Sequence, residues 1–131
     1  MQIGSIDKSM LAKTDDEFLA LVDSDADWFA RSAEDVRQLR EHGYGPLTKL
    51  PEADFRAFLA SLEFEGGGVS TGYYRPLMAC LTLTDIFEVF ERFGMAREYF
   101  LDNQEAKCVG GTCEFEFWSF CSGTCGHVKT E

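Results

Sequence analysis

Residues 82–93 read TLTDIFEVFERF, and this stretch carries the clearest structural pattern in the chain. Its large apolar side chains recur at the spacing of one helix face, at Ile86, Val89, Phe90 and Phe93. A threonine at position 82 or 84 can cap the first turn. The stretch therefore predicts an amphipathic helix packed on a hydrophobic core, with more helix over residues 95–101.

Two helices are predicted near the N-terminus. Thr14 and Glu17 fit a capping box, in which each side chain satisfies a backbone N–H at the start of a helix. This first helix is expected to end near Asp23. A second helix is predicted over residues 27–42, because Gly43 behind it can adopt the left-handed conformation that ends many helices.

A third helix is predicted after Pro51, a residue suited to the first turn of a helix. Its apolar residues form one stripe, at Phe55, Phe58, Leu59 and Leu62. The three glycines at 66–68 break the pattern. Residues 69–81 are ambiguous: residues 69–74 could form a short strand or an ordered loop, and residues 77–81 could form a helix.

Composition and pattern together predict a mainly α fold. The chain has 131 residues, 45% of them hydrophobic, and its 12 Phe offer large rings for burial. We expect one small helical domain of four to five helices, with a cysteine-rich C-terminal tail that is irregular or forms a short β-hairpin. The acidic helical domain would cover residues 1–107, and the tail residues 108–131.

The formal net charge of −11 restricts the partners. Nucleic acids and anionic membranes are not expected, because both attract clustered Lys and Arg. The first 20 residues lack a basic head followed by an apolar run, and no stretch approaches the roughly 20 apolar residues of a membrane span. A cytoplasmic location is therefore expected.

The tail holds four of the five cysteines within 18 residues, although no two of them form the C-x-x-C pair of common zinc sites. Thiolates and imidazole are the normal ligands of structural zinc, and four of them complete a tetrahedron. One hypothesis is therefore a small zinc-type metal-binding or adaptor protein whose tail supplies either four cysteines or three cysteines and a histidine. Its candidate ligands are Cys108, Cys113, Cys121, Cys125 and His127.

The same cysteines allow a purely structural interpretation. They can form two disulfides that brace a hairpin, and residues 114–117 alternate between acidic and aromatic as a strand does. They can equally lie buried as thiols. A reducing cytoplasm favours metal binding over disulfides. Cys80 stands alone among apolar residues and is expected in the core.

The main hypothesis treats the tail as a peptide that enzymes modify. Gly110 and Gly111 precede a short segment rich in Cys, Ser and Thr, which is typical of ribosomally made precursor peptides. Two small residues fit a narrow protease cleft. Ser and Thr can lose water to give alkenes, to which a Cys thiolate adds. The modification candidates are Thr112, Cys113, Ser119, Cys121, Ser122, Thr124 and Cys125.

A family resemblance supports this hypothesis. It rests on Phe18, Leu19, Val22, Asp25, Gly43, Tyr44, Asp54 and Phe55. With this pattern the chain resembles the nitrogen-fixation-associated leader family of modified-peptide precursors. The resemblance implies an acidic helical leader, a modifying enzyme that reads an apolar helix face, and a protease or transporter that cuts after the double glycine. The implied docking residues are Phe18, Leu19, Val22, Asp54 and Phe55.

An enzyme is not predicted. The chain has only two histidines, His42 and His127, so few arrangements with a histidine base exist. A thiol nucleophile at Cys121 or Cys125 beside His127 would sit on a glycine-flanked segment, which is a poor rigid platform. The precursor hypothesis needs no cofactor, whereas the metal-binding hypothesis needs zinc.

Overall fold

The computed structural model describes residues 6–43 and 45–126. Over these ranges the helices are α1 (Asp15–Val22), α2 (Ala33–Glu41), α3 (Glu52–Ser61), α4 (Arg75–Met78), α5 (Leu83–Glu91) and α6 (Arg97–Asn103). The strands are β1 (Glu63–Glu65), β2 (Gly68–Tyr73), β3 (Gln104–Val109) and β4 (Thr112–Cys121). None of these described helices is long and apolar enough to cross a membrane.

The expected mainly α fold is wrong. The four strands form one antiparallel sheet in the order β1-β2-β4-β3, and the six helices pack with it into a mixed α/β fold. The cysteine-rich segment supplies two of the four strands, and β4 lies inside the sheet. The boundary drawn between residues 107 and 108 falls within β3, so the tail begins structurally at Gln104.

Strand β2 shows why the sequence pattern missed the sheet. Residues 68–72 are all buried, so the strand has no alternation of apolar and polar positions. Thr71 Oγ1 donates a buried hydrogen bond of 2.6 Å to the carbonyl oxygen of Phe120. A Cβ on Gly72 would lie 2.6 Å from Leu62 Cδ2 and 2.9 Å from Phe120 Cε1, so a larger residue would have to displace these side chains. Small and polar residues thus form a strand that is buried up to Gly72.

Side chains cap the helices where the sequence predicts. Thr14 Oγ1 accepts from the N–H of Glu17 at the start of α1, and Thr82 forms a full capping box with Asp85 at the start of α5. At α1 the reciprocal bond differs, because Glu17 Oε1 accepts from the N–H of Lys13. Of the two candidate caps, Thr82 and Thr84, the structure uses Thr82.

The second predicted helix is shorter than expected. Helix α2 begins at Ala33, with Ser32 as its cap, and the preceding residues 27–32 are irregular. Arg31 stabilises this irregular segment through its guanidinium group. It donates to the carbonyl oxygens of Val22, Ser24 and Ala26. These bonds link the end of α1 to the segment that precedes α2.

An aromatic cluster joins the tail to the helices. The ring of Phe90 in α5 stacks on Phe100 of α6, with centroids 4.1 Å apart. Phe120 of β4 packs edge-on against Phe90 at 4.9 Å. All three side chains are at most 2% exposed. Aromatic rings bury much apolar area, so Phe120 anchors the tail in the main core.

Candidate functional site

A two-residue turn joins β3 to β4. Gly110 and Gly111 have φ angles of 59° and 85°, and the flanking cross-strand pair is Val109 and Thr112. Two-residue hairpin turns with positive φ at both central positions strongly favour glycine. The double glycine therefore has a structural role as the turn of this hairpin.

The hairpin bends sharply near its base. Glu105 and Trp118 adopt φ angles of 62° and 65°, which side chains rarely tolerate, and the strand pairing slips between Gln104 and Ala106. The Glu105 carboxylate fixes the bend by accepting from the N–H of Trp118 at 3.1 Å and from the Tyr74 hydroxyl at 2.6 Å. Burial and this carboxylate raise the pKa of Tyr74, so its hydroxyl remains a donor.

The disulfide between Cys113 and Cys121 shows how far β4 turns. Eight residues of extended strand would separate the two Cα atoms by about 26 Å. They are 5.7 Å apart, so β4 folds back on itself around Trp118. The folded-back hairpin also contacts β2, because the N–H of Cys108 donates to Thr71 Oγ1 at 3.3 Å.

The remaining tail cysteines close a second disulfide beside the first. Cys108 and Cys125 are bonded, with their Cα atoms 5.6 Å apart. The sulfur atoms of Cys108, Cys121 and Cys125 all lie within 4.8 Å of one another. Cys113 is bonded to Cys121, so four sulfurs form one cluster, which we call the cysteine cluster.

The segment after β4 is held firmly under the cysteine cluster. Ser122 Oγ donates to the carbonyl oxygen of Val69 at 2.6 Å, and Thr124 Oγ1 donates to the same oxygen at 3.2 Å. The N–H of Gly123 donates to the Tyr99 hydroxyl at 2.8 Å. These bonds position Cys125 against the hairpin.

Tyr99 links this segment to the helices. It is 1% exposed, and its hydroxyl donates to Asp15 Oδ1 at 2.7 Å. Burial raises the pKa of Tyr99, and the hydrogen bond to the Asp15 carboxylate raises it further, while the N–H of Gly123 acts in the opposite direction. A neutral Tyr99 therefore connects α1, α6 and the cysteine-bearing segment.

The predicted docking residues of a leader lie in or against the core. Phe18, Val22 and Phe55 are at most 5% exposed, and Leu19 and Asp54 are half-buried. In the folded chain these side chains pack inward. Docking of a modifying enzyme through them stays a prediction, and it requires α1 and α3 to leave the core.

The predicted modification candidates fall into two groups. Thr112 and Cys113 are exposed beside the turn, and Cys125 is half-buried. The buried candidates are Ser119, Cys121, Ser122 and Thr124. Their modification stays a prediction, and an enzyme would reach them only after the sheet opens.

The structure brings four of the five proposed metal ligands together. These are Cys108, Cys113, Cys121 and Cys125. His127 lies outside the described residues, as does Tyr44 of the resemblance pattern. Cys80 was expected in the core, and that prediction is wrong: its thiol is free and the residue is exposed just after α4.

Sequence reasoning missed the residues that shape the site. Neither Glu105 nor Trp118 belongs to a motif, and no local signal marks a non-glycine residue for positive φ. The alternation at 114–117 predicted a strand but could not show its reversal. Comparison of the chain with protein-family models, curated proteins and solved structures returned no match.

Proposed function

We propose that the protein is a small binding protein of the adaptor type whose cysteine cluster holds the folded-back hairpin in place. The cluster forms two disulfides when oxidised and binds one zinc-type metal ion through its thiolates when reduced. One observation carries this proposal. The sulfurs of Cys108, Cys121 and Cys125 converge within 4.8 Å, from positions separated by up to 17 residues.

The spacing of the sulfurs suits a tetrahedral metal site. A zinc–sulfur bond of about 2.3 Å places two ligating sulfurs about 3.8 Å apart. Three sulfurs already lie within 4.8 Å of one another. Reduction frees the sulfur of Cys113 beside Cys121, where it becomes the fourth ligand. Metal binding therefore needs small movements of side chains on a backbone that is already folded.

Exchange between the two forms is chemically balanced. Two equivalents of a dithiol reductant supply four electrons and four protons, which convert the two disulfides into four thiols, and each dithiol leaves as its own disulfide. Binding of Zn²⁺ to four thiolates then releases four protons. Cytoplasmic thiols are kept reduced, so the metal-bound form dominates in the cytoplasm, where we place the protein.

Metal stoichiometry tests the proposal. The chain is reduced with a phosphine under anaerobic conditions, titrated with Zn²⁺ and measured by native mass spectrometry. We expect one zinc per chain. We also expect Co²⁺ to give the strong visible absorption of a tetrahedral thiolate site, and zinc to raise the melting temperature of the reduced protein.

Two single variants separate the site from nonspecific thiol binding. The variant Cys80→Ser removes an exposed thiol outside the cluster and should retain one zinc per chain. The variant Cys125→Ser should lose tight binding, because it leaves three thiolates. Fully reduced wild-type protein without zinc, or equal loss in both variants, contradicts the proposal.

A second candidate function is the peptide precursor. One observation favours it: Gly110 and Gly111 form an exposed turn that a protease can reach. On this proposal the tail first unfolds, and a modifying enzyme then acts on its Cys, Ser and Thr residues.

Intact mass of the reduced protein from its native host tests the precursor function. A shortfall corresponding to lost waters, or a fragment that begins at Thr112, is the expected result. A full-length chain of unaltered mass argues against it.

A further inference from the structure

A groove of about 730 Å³ lies between the folded-back hairpin and the sheet. We call it the hairpin groove, and its chemically distinctive lining residues are Glu63, Tyr73, Lys107, Glu116, Phe117 and Trp118. We propose that the hairpin groove binds a basic peptide segment of a partner protein. Lys or Arg side chains of that segment would lie against the aromatic rings and pair with the two carboxylates. This inference goes beyond the metal chemistry and holds for the disulfide form.

The aromatic residues of the groove are unusually exposed. Phe117 is 64% exposed and Tyr73 is 38% exposed. Phe115 is 71% exposed and packs edge-on against Phe117, with ring centroids 4.8 Å apart. Cations bind favourably over aromatic faces. The guanidinium of the chain's own Arg75 lies 5.5 Å from the centroid of the Trp118 ring, outside the lining of the groove.

The charges of the groove favour a basic occupant. Glu63 is exposed on the β1 side, and Glu116 faces it from β4. Lys107 is the only cationic residue in the described lining of the groove, and its ammonium is 4.0 Å from Glu116 Oε2. Both partners are nearly half exposed, so this pair is weak and an incoming cation can displace it.

The charge of the whole chain points the same way. The net charge of −11 steers a basic segment toward the protein and repels a second copy of it. An acidic peptide or a nucleic acid would bring more negative charge to Glu63 and Glu116. A basic peptide is therefore the occupant whose chemistry complements the groove.

Fluorescence anisotropy with two labelled peptides tests the inference. One peptide alternates Arg or Lys with Leu, and the other carries Glu in place of each basic residue. We expect only the basic peptide to bind, and to bind more weakly as salt rises. The double variant Glu63→Gln/Glu116→Gln should weaken binding at least about fivefold, because two ion pairs are lost.

A matched variant distinguishes the groove from general attraction. Glu88→Gln/Glu98→Gln changes the net charge by the same amount at two exposed helix positions, and it should change the affinity by less than about twofold. Equal weakening by the two double variants overturns the inference, as does absence of binding by the wild type. Phe117→Ser, a substitution at an exposed position, should weaken peptide binding through the loss of aromatic contact, and an unchanged affinity would count against the groove.

Loss of zinc binding by Cys125→Ser would bear on the proposed function alone, because peptide binding is measured on the oxidised chain.

Discussion

Removal of the disulfide between Cys113 and Cys121 offers a sharp test of the reversal in β4. The double variant Cys113→Ala/Cys121→Ala opens this bond and leaves the bond between Cys108 and Cys125 intact. The two residues are eight positions apart in sequence. Packing and hydrogen bonds also hold β4 in its reversed path in the folded protein. The Cys113–Cys121 disulfide is therefore expected to stabilise the fold mainly by restricting the unfolded chain.

The loop length sets the magnitude. In the chain-entropy description, closing a loop of eight residues contributes about 2.5 kcal/mol to the free energy of unfolding at 25 °C. The outer disulfide, over 17 residues, already restricts the same segment, so this value is an upper bound. Replacement of the buried Cys121 sulfur by a methyl group adds a small packing loss.

Urea unfolding under non-reducing conditions measures the loss. Circular dichroism reports the helices, and tryptophan fluorescence responds to Trp118 at the bend as well as to the buried Trp28. The exposed Cys80→Ala variant is the control and should leave the free energy within about 0.5 kcal/mol of wild type. If the free energy of unfolding of the double variant were also within this range, the reasoning would be refuted, because the disulfide would then place no constraint on the unfolded chain.

Three further predictions concern the core and the tyrosines. Gly72→Ala should lower the free energy of unfolding by about 1–3 kcal/mol in chemical denaturation, because the new Cβ would lie 2.6 Å from Leu62 Cδ2 and 2.9 Å from Phe120 Cε1 and would displace these buried side chains. Wild-type stability would show that the two side chains adjust without cost. Thr82→Ala should cost about 1 kcal/mol in thermal unfolding through loss of the capping box, and no loss would mean that α5 does not depend on its cap. The pKa values of Tyr74 and Tyr99 are raised in the folded state. Their contribution to the free energy of unfolding is therefore complete below pH 10, the ordinary tyrosine pKa. It is lost as the pH rises above 10, because the tyrosine hydroxyls ionise in the unfolded chain first. The free energy of unfolding should fall above pH 10 by about 1.4 kcal/mol per pH unit for each tyrosine, and Tyr99→Phe should reduce this slope in denaturation curves; an unchanged slope would contradict the assigned burial.

The local parts of the fold could be predicted from the sequence. Helix α5 combines an apolar stripe with a capping box, and both signals lie within a dozen neighbouring residues. Helix α3 follows Pro51 and buries Phe55 and Phe58 as its stripe predicts. Such elements need no information from distant parts of the chain, which is why short-range spacing identifies them.

The sheet could not be predicted in the same way. Strand β2 meets β4 through the pair Thr71 and Cys121, which are far apart in sequence, and its small buried residues carry no periodic signal. The reversal of β4 depends on positive φ at Trp118 and on the Glu105 carboxylate that accepts from its N–H. Long-range pairing imposed these conformations, so the sequence allowed two disulfides in a hairpin but indicated neither their pairing nor the reversal of β4.

The nesting of the two disulfides has a consequence for the covalent continuity of the chain. The outer bond, Cys108–Cys125, spans the turn at Gly110 and Gly111 from both sides. A single peptide bond cut in that turn therefore produces two polypeptides that stay joined through sulfur. Such nicked protein would migrate as one species on a non-reducing gel and gain the mass of one water. Only after reduction would the two pieces separate, so the redox state decides whether a cut releases anything.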